Sequence, residues 1–187
     1  MEQEIQNCIT VLKKGGTILY PTDTIWGIGC DATNEKAVEK IFKIKQRPDI
    51  KSLIILLDEP VRLKDYVKTI PDIAWDLLES IEKPLTIIYP NAKNLPKKVI
   101  GEDRSIAIRI VKDEFCKRLI NELGKPIVST SANNSGDPSP LVFRCVPKEI
   151  IDNVDYVVGI YQDVLKAVKP SRIIKLDENG EFKIIRP

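Results

Sequence analysis

The sequence predicts a single α/β domain over residues 1–187, built on a twisted mixed sheet flanked by helices. Three observations carry that expectation. Segments with apolar residues at helical spacing alternate with short, continuous apolar runs. One run, LIILL at 53–57, is apolar at every position, as in a strand covered on both faces. The closing SRIIKL and EFKII segments flank Asn179-Gly180, the signature of a hairpin and so of antiparallel pairing.

Each element follows from its pattern. Ile5, Cys8, Ile9 and Leu12 are spaced for a helix over 2–13, which Gly15-Gly16 stops. TILY at 17–20 reads as a buried strand ended by Pro21. Ala37, Val38, Ile41 and Phe42 make the stripe of a helix over 35–46, and Pro48 closes that region. After the strand at 53–57, Ile73, Ala74, Leu77, Leu78 and Ile81 predict a helix over 72–81. Strands are expected at 85–89 and 105–110. A helix over 113–123 carries Phe115, Leu119, Ile120 and Leu123, with Gly124 placed to terminate it. A short strand at 127–129, a helix near 147–153, a strand near 155–158 and the hairpin complete the series.

Composition removes several chemistries. The chain has no histidine, which excludes Ser-His and Cys-His nucleophilic pairs and most transition-metal sites. Its four cysteines (Cys8, Cys30, Cys116, Cys145) are scattered without a C-x-x-C pair, so reduced core thiols are expected rather than a disulfide framework or zinc site. No apolar run approaches the roughly 20 residues of a membrane span, and no signal peptide is visible, so a cytoplasmic location is expected. The net charge of +2 does not by itself argue for nucleic acid.

Four segments look chemical. PTDTIWGIGCD (21–31) places hydroxyls and backbone at a strand end, where α/β proteins often bind ligands. Its Gly27 and Gly29 fit either a tight turn or close approach of another chain or ligand. There is no G-x-x-x-x-G-K-[ST] loop, so ATP, if bound, is held by another route. In KIKQRPDIK (43–51), Lys45 falls four residues after Ile41, on the core-facing stripe, and Arg47 and Lys51 follow. Such cations suit a polyphosphate, or else simply complement a helix C-terminus.

In SIAIRI (105–110), alternation puts Ser105, Ala107 and Arg109 on one face. A buried Arg109 needs an anion, either a substrate carboxylate or an internal Asp or Glu; an exposed face is the ordinary alternative. VSTSANNSG (128–136) gathers Ser129, Thr130, Ser131 and Ser135 with two amides just after a strand. It suits a phosphate, a ribose or an amino acid, or is a hydrogen-bonded polar turn.

Taken in order, PTDTIWGIGCDA, KIKQRP with K-x-L-I-I-L-L, KPLTIIYP, SIAIRI and VSTSANNSG resemble the YrdC-like family of threonylcarbamoyl-AMP synthases, from about residue 8 to the closing IIRP. The resemblance implies a concave, positively charged sheet face holding the active site. It implies condensation of L-threonine, bicarbonate and ATP to threonylcarbamoyl-adenylate with release of pyrophosphate, assisted by Mg²⁺. A separate transferase then modifies transfer RNA. The signature Lys, Arg, Ser and Asn of the family fall on Lys45, Arg47, Ser131 and Asn133. By the same matching, Thr24, Arg109, Ser131 and Ser171 are implied threonine contacts, and Arg47, Lys51, Ser105, Asn133 and Arg186 nucleotide contacts. Asp23 is a nearby carboxylate not assigned as a metal ligand. Arg172 follows Ser171 where relatives commonly carry Ser-Thr. The stop at IIRP fits the short, single-domain form.

Two alternatives remain at this stage. One is a non-enzymatic module binding transfer RNA or double-stranded RNA on the basic face; the other is a paralogue with a different carbamoylation or adenylation substrate. Under the synthase reading, Lys45→Ala or Arg47→Ala abolishes turnover in a pyrophosphate-release assay while the fold stays intact. Unfolding of either variant would mark a structural cation instead.

Overall fold

A computed structural model describes residues 1–46, 53–134, 136–164 and 170–187. The helices are α1 (Glu2–Lys13), α2 (Glu35–Ile44), α3 (Leu63–Tyr66), α4 (Ile73–Ser80), α5 (Glu114–Leu123) and α6 (Lys148–Asn153). The strands are β1 (Ile18–Pro21), β2 (Trp26–Gly29), β3 (Ile54–Leu57), β4 (Leu85–Tyr89), β5 (Ile106–Ile110), β6 (Ile127–Ser131), β7 (Tyr156–Val157), β8 (Arg172–Leu176) and β9 (Phe182–Arg186). They form one mixed sheet in the order β7-β1-β2-β6-β3-β5-β4-β8-β9. The pairs β1/β7, β3/β5 and β4/β8 are parallel and the rest antiparallel.

The expected helix boundaries are set by local chemistry. The side chain of Asn34 accepts from the Ala37 amide at 3.2 Å to start α2, and that of Asp113 accepts from the Cys116 amide at 3.1 Å to start α5. Gly124 ends α5 in the left-handed region at φ +72°.

Strand alternation divides the apolar residues between two cores. Leu19, Ile28, Ile55, Leu57, Ile87, Ile108 and Val128 pack on one face with the apolar stripes of α2 and α4. Ile18, Tyr20, Leu56 and Ile127 face the other way, against Cys8 and Leu12 of α1 and Phe115 and Leu119 of α5. LIILL is thus covered on both sides, as expected. Cys8, Cys30 and Cys116 lie buried as separate free thiols, Cys145 is exposed and free, and burial pushes Cys8 up to about 12.

Of the two readings of Gly27 and Gly29, close approach is the one realised: the W-G-I-G segment is strand β2, antiparallel to β1 in the register Ile18↔Gly29 to Pro21↔Trp26. Its glycines serve close approach. A Cβ on Gly29 would lie 2.5 Å from the Val128 carbonyl oxygen and 2.7 Å from Cε1 of Tyr20. Gly29→Ala is expected to destabilise the fold by about 2 kcal/mol through overpacking against backbone. A lowered urea midpoint at unchanged m-value checks this.

Candidate active site

Beyond the part covered by α1 and α5, the second sheet face borders a cavity of about 470 Å³. Its floor is apolar: Ile54 and Ile88 flank Ala107 in the register of β3/β5 and β5/β4, and Ile173 lies diagonally from Ile88, opposite Thr86, across β4/β8. Its rim is polar, with Thr22, Thr24, Ser129, Ser131 and Ser171, and two guanidinium groups, Arg109 and Arg186, reach it. Gly27 also lines it, where a Cβ would sit 3.3 Å from both the Thr130 carbonyl oxygen and the Thr22 methyl.

The β1–β2 turn supplies one wall. Thr22 Oγ1 accepts from the amides of Thr24 (3.1 Å) and Ile25 (3.2 Å) and donates to the Ile25 carbonyl (2.7 Å), so one hydroxyl fixes the whole turn. Thr22 and Thr24 hydroxyls lie 3.0 Å apart. Arg109, on β5, is 4% exposed. Its Nη1 donates to Thr24 Oγ1 at 3.3 Å and its Nη2 forms an ion pair with Asp23 Oδ1 at 3.0 Å. Of the sequence alternatives for Arg109, burial against an internal carboxylate is the one realised.

The opposite wall is a chain of hydroxyls and a guanidinium. Arg186 Nε donates to the Ser171 carbonyl at 2.9 Å and Nη2 to Ser171 Oγ at 3.3 Å, and Ser171 Oγ lies 2.8 Å from the buried Thr86 Oγ1. Burial, then the nearby positive charge of Arg109, lowers the pKa of Arg186. Arg172 is exposed while Ser171 faces the cavity, so the departure at that position is turned away from the site.

Lys45 is also buried, at 4% exposed. Its ammonium donates to the Ser131 carbonyl at 2.6 Å, to the Asn133 carbonyl, and to Asn133 Oδ1 at 3.3 Å. Asn133 Nδ2 in turn donates to the Asn134 and Asp137 carbonyls at 3.0 and 2.5 Å. The strand expected at 127–129 thus runs on to Ser131, and the polar segment beyond it is clasped by Lys45. The core-facing placement of Lys45 is as read from its helical spacing. The expectation that its loss spares the fold is corrected: the ammonium fills buried backbone acceptors and is no surface group.

The structure brings Thr24, Arg109, Ser131, Ser171 and Arg186 to one cavity, with Lys45 and Asn133 bonded behind Ser131. Ser105 is not among the lining residues. Its hydroxyl donates to Asp103 Oδ1 at 2.6 Å, and hydrogen bonds from Lys175 and then Ser105 hold the Asp103 carboxyl down at about 2. Arg47, Lys51 and Ser135 lie outside the described residues. Sequence reasoning left three contributors unassigned: Thr22, Thr86 and the pairing role of Asp23. The T-x-T spacing was visible for Thr22, but cross-strand placement of Thr86 needs the register. Among the described residues no group of three or more acidic or thiol side chains could hold a metal, and no helix is long and apolar enough to cross a membrane.

Comparison with known proteins shows the family. The Sua5, YciO and YrdC family model, described as "Telomere recombination", matches residues 10–187. Curated relatives named threonylcarbamoyl-AMP synthase include one from Pseudoalteromonas translucida, 39% identical over 84% of this chain and 86% of its own length. Another, from Idiomarina loihiensis, is 34% identical over 91% of this chain and 92% of its own. The structure of P. abyssi Sua5 complexed with L-threonine superposes with a TM-score of 0.84 at 30% identity, covering 94% of this chain and 52% of that one. The present chain thus spans about half the length of that protein. The chain belongs to the Sua5, YciO and YrdC family.

Lys45→Met removes the donor while keeping an apolar stem of similar length. It is expected to cost about 3 kcal/mol, since buried acceptors of a charged donor are left unpaired. Chemical denaturation checks the loss, with Lys43→Met on the exposed side of α2 as the control.

Proposed function

We propose that this protein condenses L-threonine, bicarbonate and ATP into threonylcarbamoyl-AMP and pyrophosphate. The reading is carried by one observation: a family member places a buried arginine, hydroxyls from three strands' ends and a second arginine around one cavity. Its relatives bear the name of that synthase.

The roles follow from chemistry. Arg109 presents a planar fork suited to the threonine carboxylate: among the described residues its Nη1 hydrogen-bonds Thr24 and its Nη2 is ion-paired with Asp23, which leaves N–H donors for a substrate anion. Thr24, Ser131 and Ser171 offer hydroxyls for the rest of the amino acid. The threonine amine attacks bicarbonate to give a carbamate with loss of water. A carbamate oxygen then attacks the α-phosphorus of ATP, the P–O bond to the β-phosphate breaks, and pyrophosphate leaves.

No protein nucleophile is needed, which suits a chain without histidine. Catalysis is then positioning plus stabilisation of charge. Arg47, Lys51, Asn133 and Arg186 are assigned to the nucleotide, Arg186 from the cavity wall; Ser105, bonded to Asp103 away from the cavity lining, is not. Lys45 acts by holding the backbone of Ser131 and Asn133. Mg²⁺ accompanying ATP would be held chiefly by phosphate oxygens and water and would neutralise phosphate charge; Asp23, ion-paired with Arg109, is not assigned to it. The cytoplasm, where ATP and transfer RNA meet, is the assigned location, and a separate transferase takes the labile product to the tRNA.

Incubation with ATP, Mg²⁺ and bicarbonate, with and without L-threonine, tests the reading by mass spectrometry. The expected result is threonine-dependent pyrophosphate and an adenylate carrying threonine plus one carboxyl unit. Turnover with another amino acid only would make the protein a paralogue. No turnover, together with RNA affinity that falls steeply with salt, would make it an RNA-binding module.

A further inference from the structure

We propose that Asp23 is a positioning residue for amino-acid recognition: it sets the guanidinium of Arg109 from behind the cavity wall and touches no substrate. The proposal rests on the reading of Arg109 as the contact for the threonine carboxylate.

The geometry separates Asp23 from its neighbours. Thr22 and Thr24 line the cavity, whereas the carboxylate between them points away, with both oxygens inaccessible to solvent. Asp23 and Arg109 side chains are only 6% and 5% exposed. Two adjacent residues of one turn meet two different nitrogens of the guanidinium: Thr24 accepts a hydrogen bond from Nη1 and Asp23 forms an ion pair with Nη2. The two contacts constrain the fork more than either alone would. Arg109 Nε is buried with no hydrogen-bond partner among the described residues, so among these it is the turn that supplies the side-chain contacts to the guanidinium. The turn is itself rigid, because Thr22 closes it through the amides of residues 24 and 25.

A counter-charge is also required. Arg109 and Arg186 reach the same cavity and the field of Arg109 acts on Arg186. Compensation of charge needs only a carboxylate nearby. Positioning needs that carboxylate at one distance from the backbone. Asp23→Glu separates the two roles, since it keeps the charge and moves it outward by one methylene.

The test measures L-threonine and ATP affinities of the full chain by calorimetry, and KM and kcat for both substrates, in wild type, Asp23→Glu and Asp23→Asn. A misplacement of about 1 Å costs on the order of a hundredfold in well-oriented sites, so Asp23→Glu is expected to raise the threonine Kd and KM about tenfold or more. The ATP Kd should stay within about twofold, since Arg109 is read as the contact for the threonine carboxylate. Asp23→Asn should lose threonine affinity too, and where it fails to fold, Asp23→Glu with its retained ion pair still decides. Wild-type threonine affinity in Asp23→Glu overturns the proposal and leaves a counter-charge only. So does tighter threonine binding in Asp23→Asn, which would make the carboxylate a competitor for Arg109. Parallel loss of ATP affinity overturns it as well, by showing a general collapse of the site. Failure of the wild-type protein to bind threonine instead overturns the functional reading, and the proposal falls with it.

Discussion

A guanidinium on an interior strand, buried at the edge of a cavity, is the constraint around which the rest of the site is arranged. Arg109 stands in the row of β5 residues whose other face, Ile106 and Ile108, belongs to the main core. A cation withdrawn from water in this way must be paired, and removing one partner of such a buried pair costs about 3–5 kcal/mol. The partner comes from the β1–β2 turn, so the electrostatic need of one strand dictates the conformation of a loop attached to two others. That loop carries the two threonines of the cavity wall. Neutralising the arginine and shaping the wall are one structural event.

The same logic recurs at Lys45, with backbone in place of a carboxylate. The chain leaving β6 turns through Ser131–Asn134, where buried carbonyls cannot all find partners in a ladder. Lys45, one residue past the end of α2, reaches across and takes two of those carbonyls together with the side-chain oxygen of Asn133. Two of the four signature positions thereby bond to a third. The motif is legible as a set of polar residues far apart in sequence, but its physical content is a clasp between a helix end and a strand end. Activity and stability are not separable at such a residue.

Much of this could be read before any coordinates. Helices α1, α2 and α5 follow from apolar spacing, with Gly15-Gly16 and Gly124 marking the ends of α1 and α5, because helix termination by glycine is local chemistry. The faces of β5 follow from alternation, which put Ala107 beside Arg109 correctly. What was not legible depends on pairing between distant segments. W-G-I-G looks like a turn because glycine is poor in strands, yet Tyr20 and the Val128 carbonyl crowd Gly29 so closely that only glycine fits there. The burial of Arg109 was an open alternative for the same reason. Nothing within SIAIRI reveals that Asp23 lies 3.0 Å away, since that distance is created by the sheet order β1-β2-β6-β3-β5.

This sheet order also explains how a site can be built without a single strong catalytic group. Antiparallel β2, β6 and β3 bring the ends of chemically different segments to one face, where glycine and alanine keep the floor open and hydroxyls edge it. The two arginines approach from β5 and β9, on opposite sides of β4 and β8. Their mutual repulsion is tolerable because each is tied to its own wall, Arg109 to Asp23 and Thr24, Arg186 to Ser171. Fixed charges of this kind need no reorganisation when an anionic substrate arrives, which is where an enzyme lacking nucleophile and histidine must find its rate. The rigidity of the walls, rather than the reactivity of any one side chain, is what the fold contributes to the chemistry.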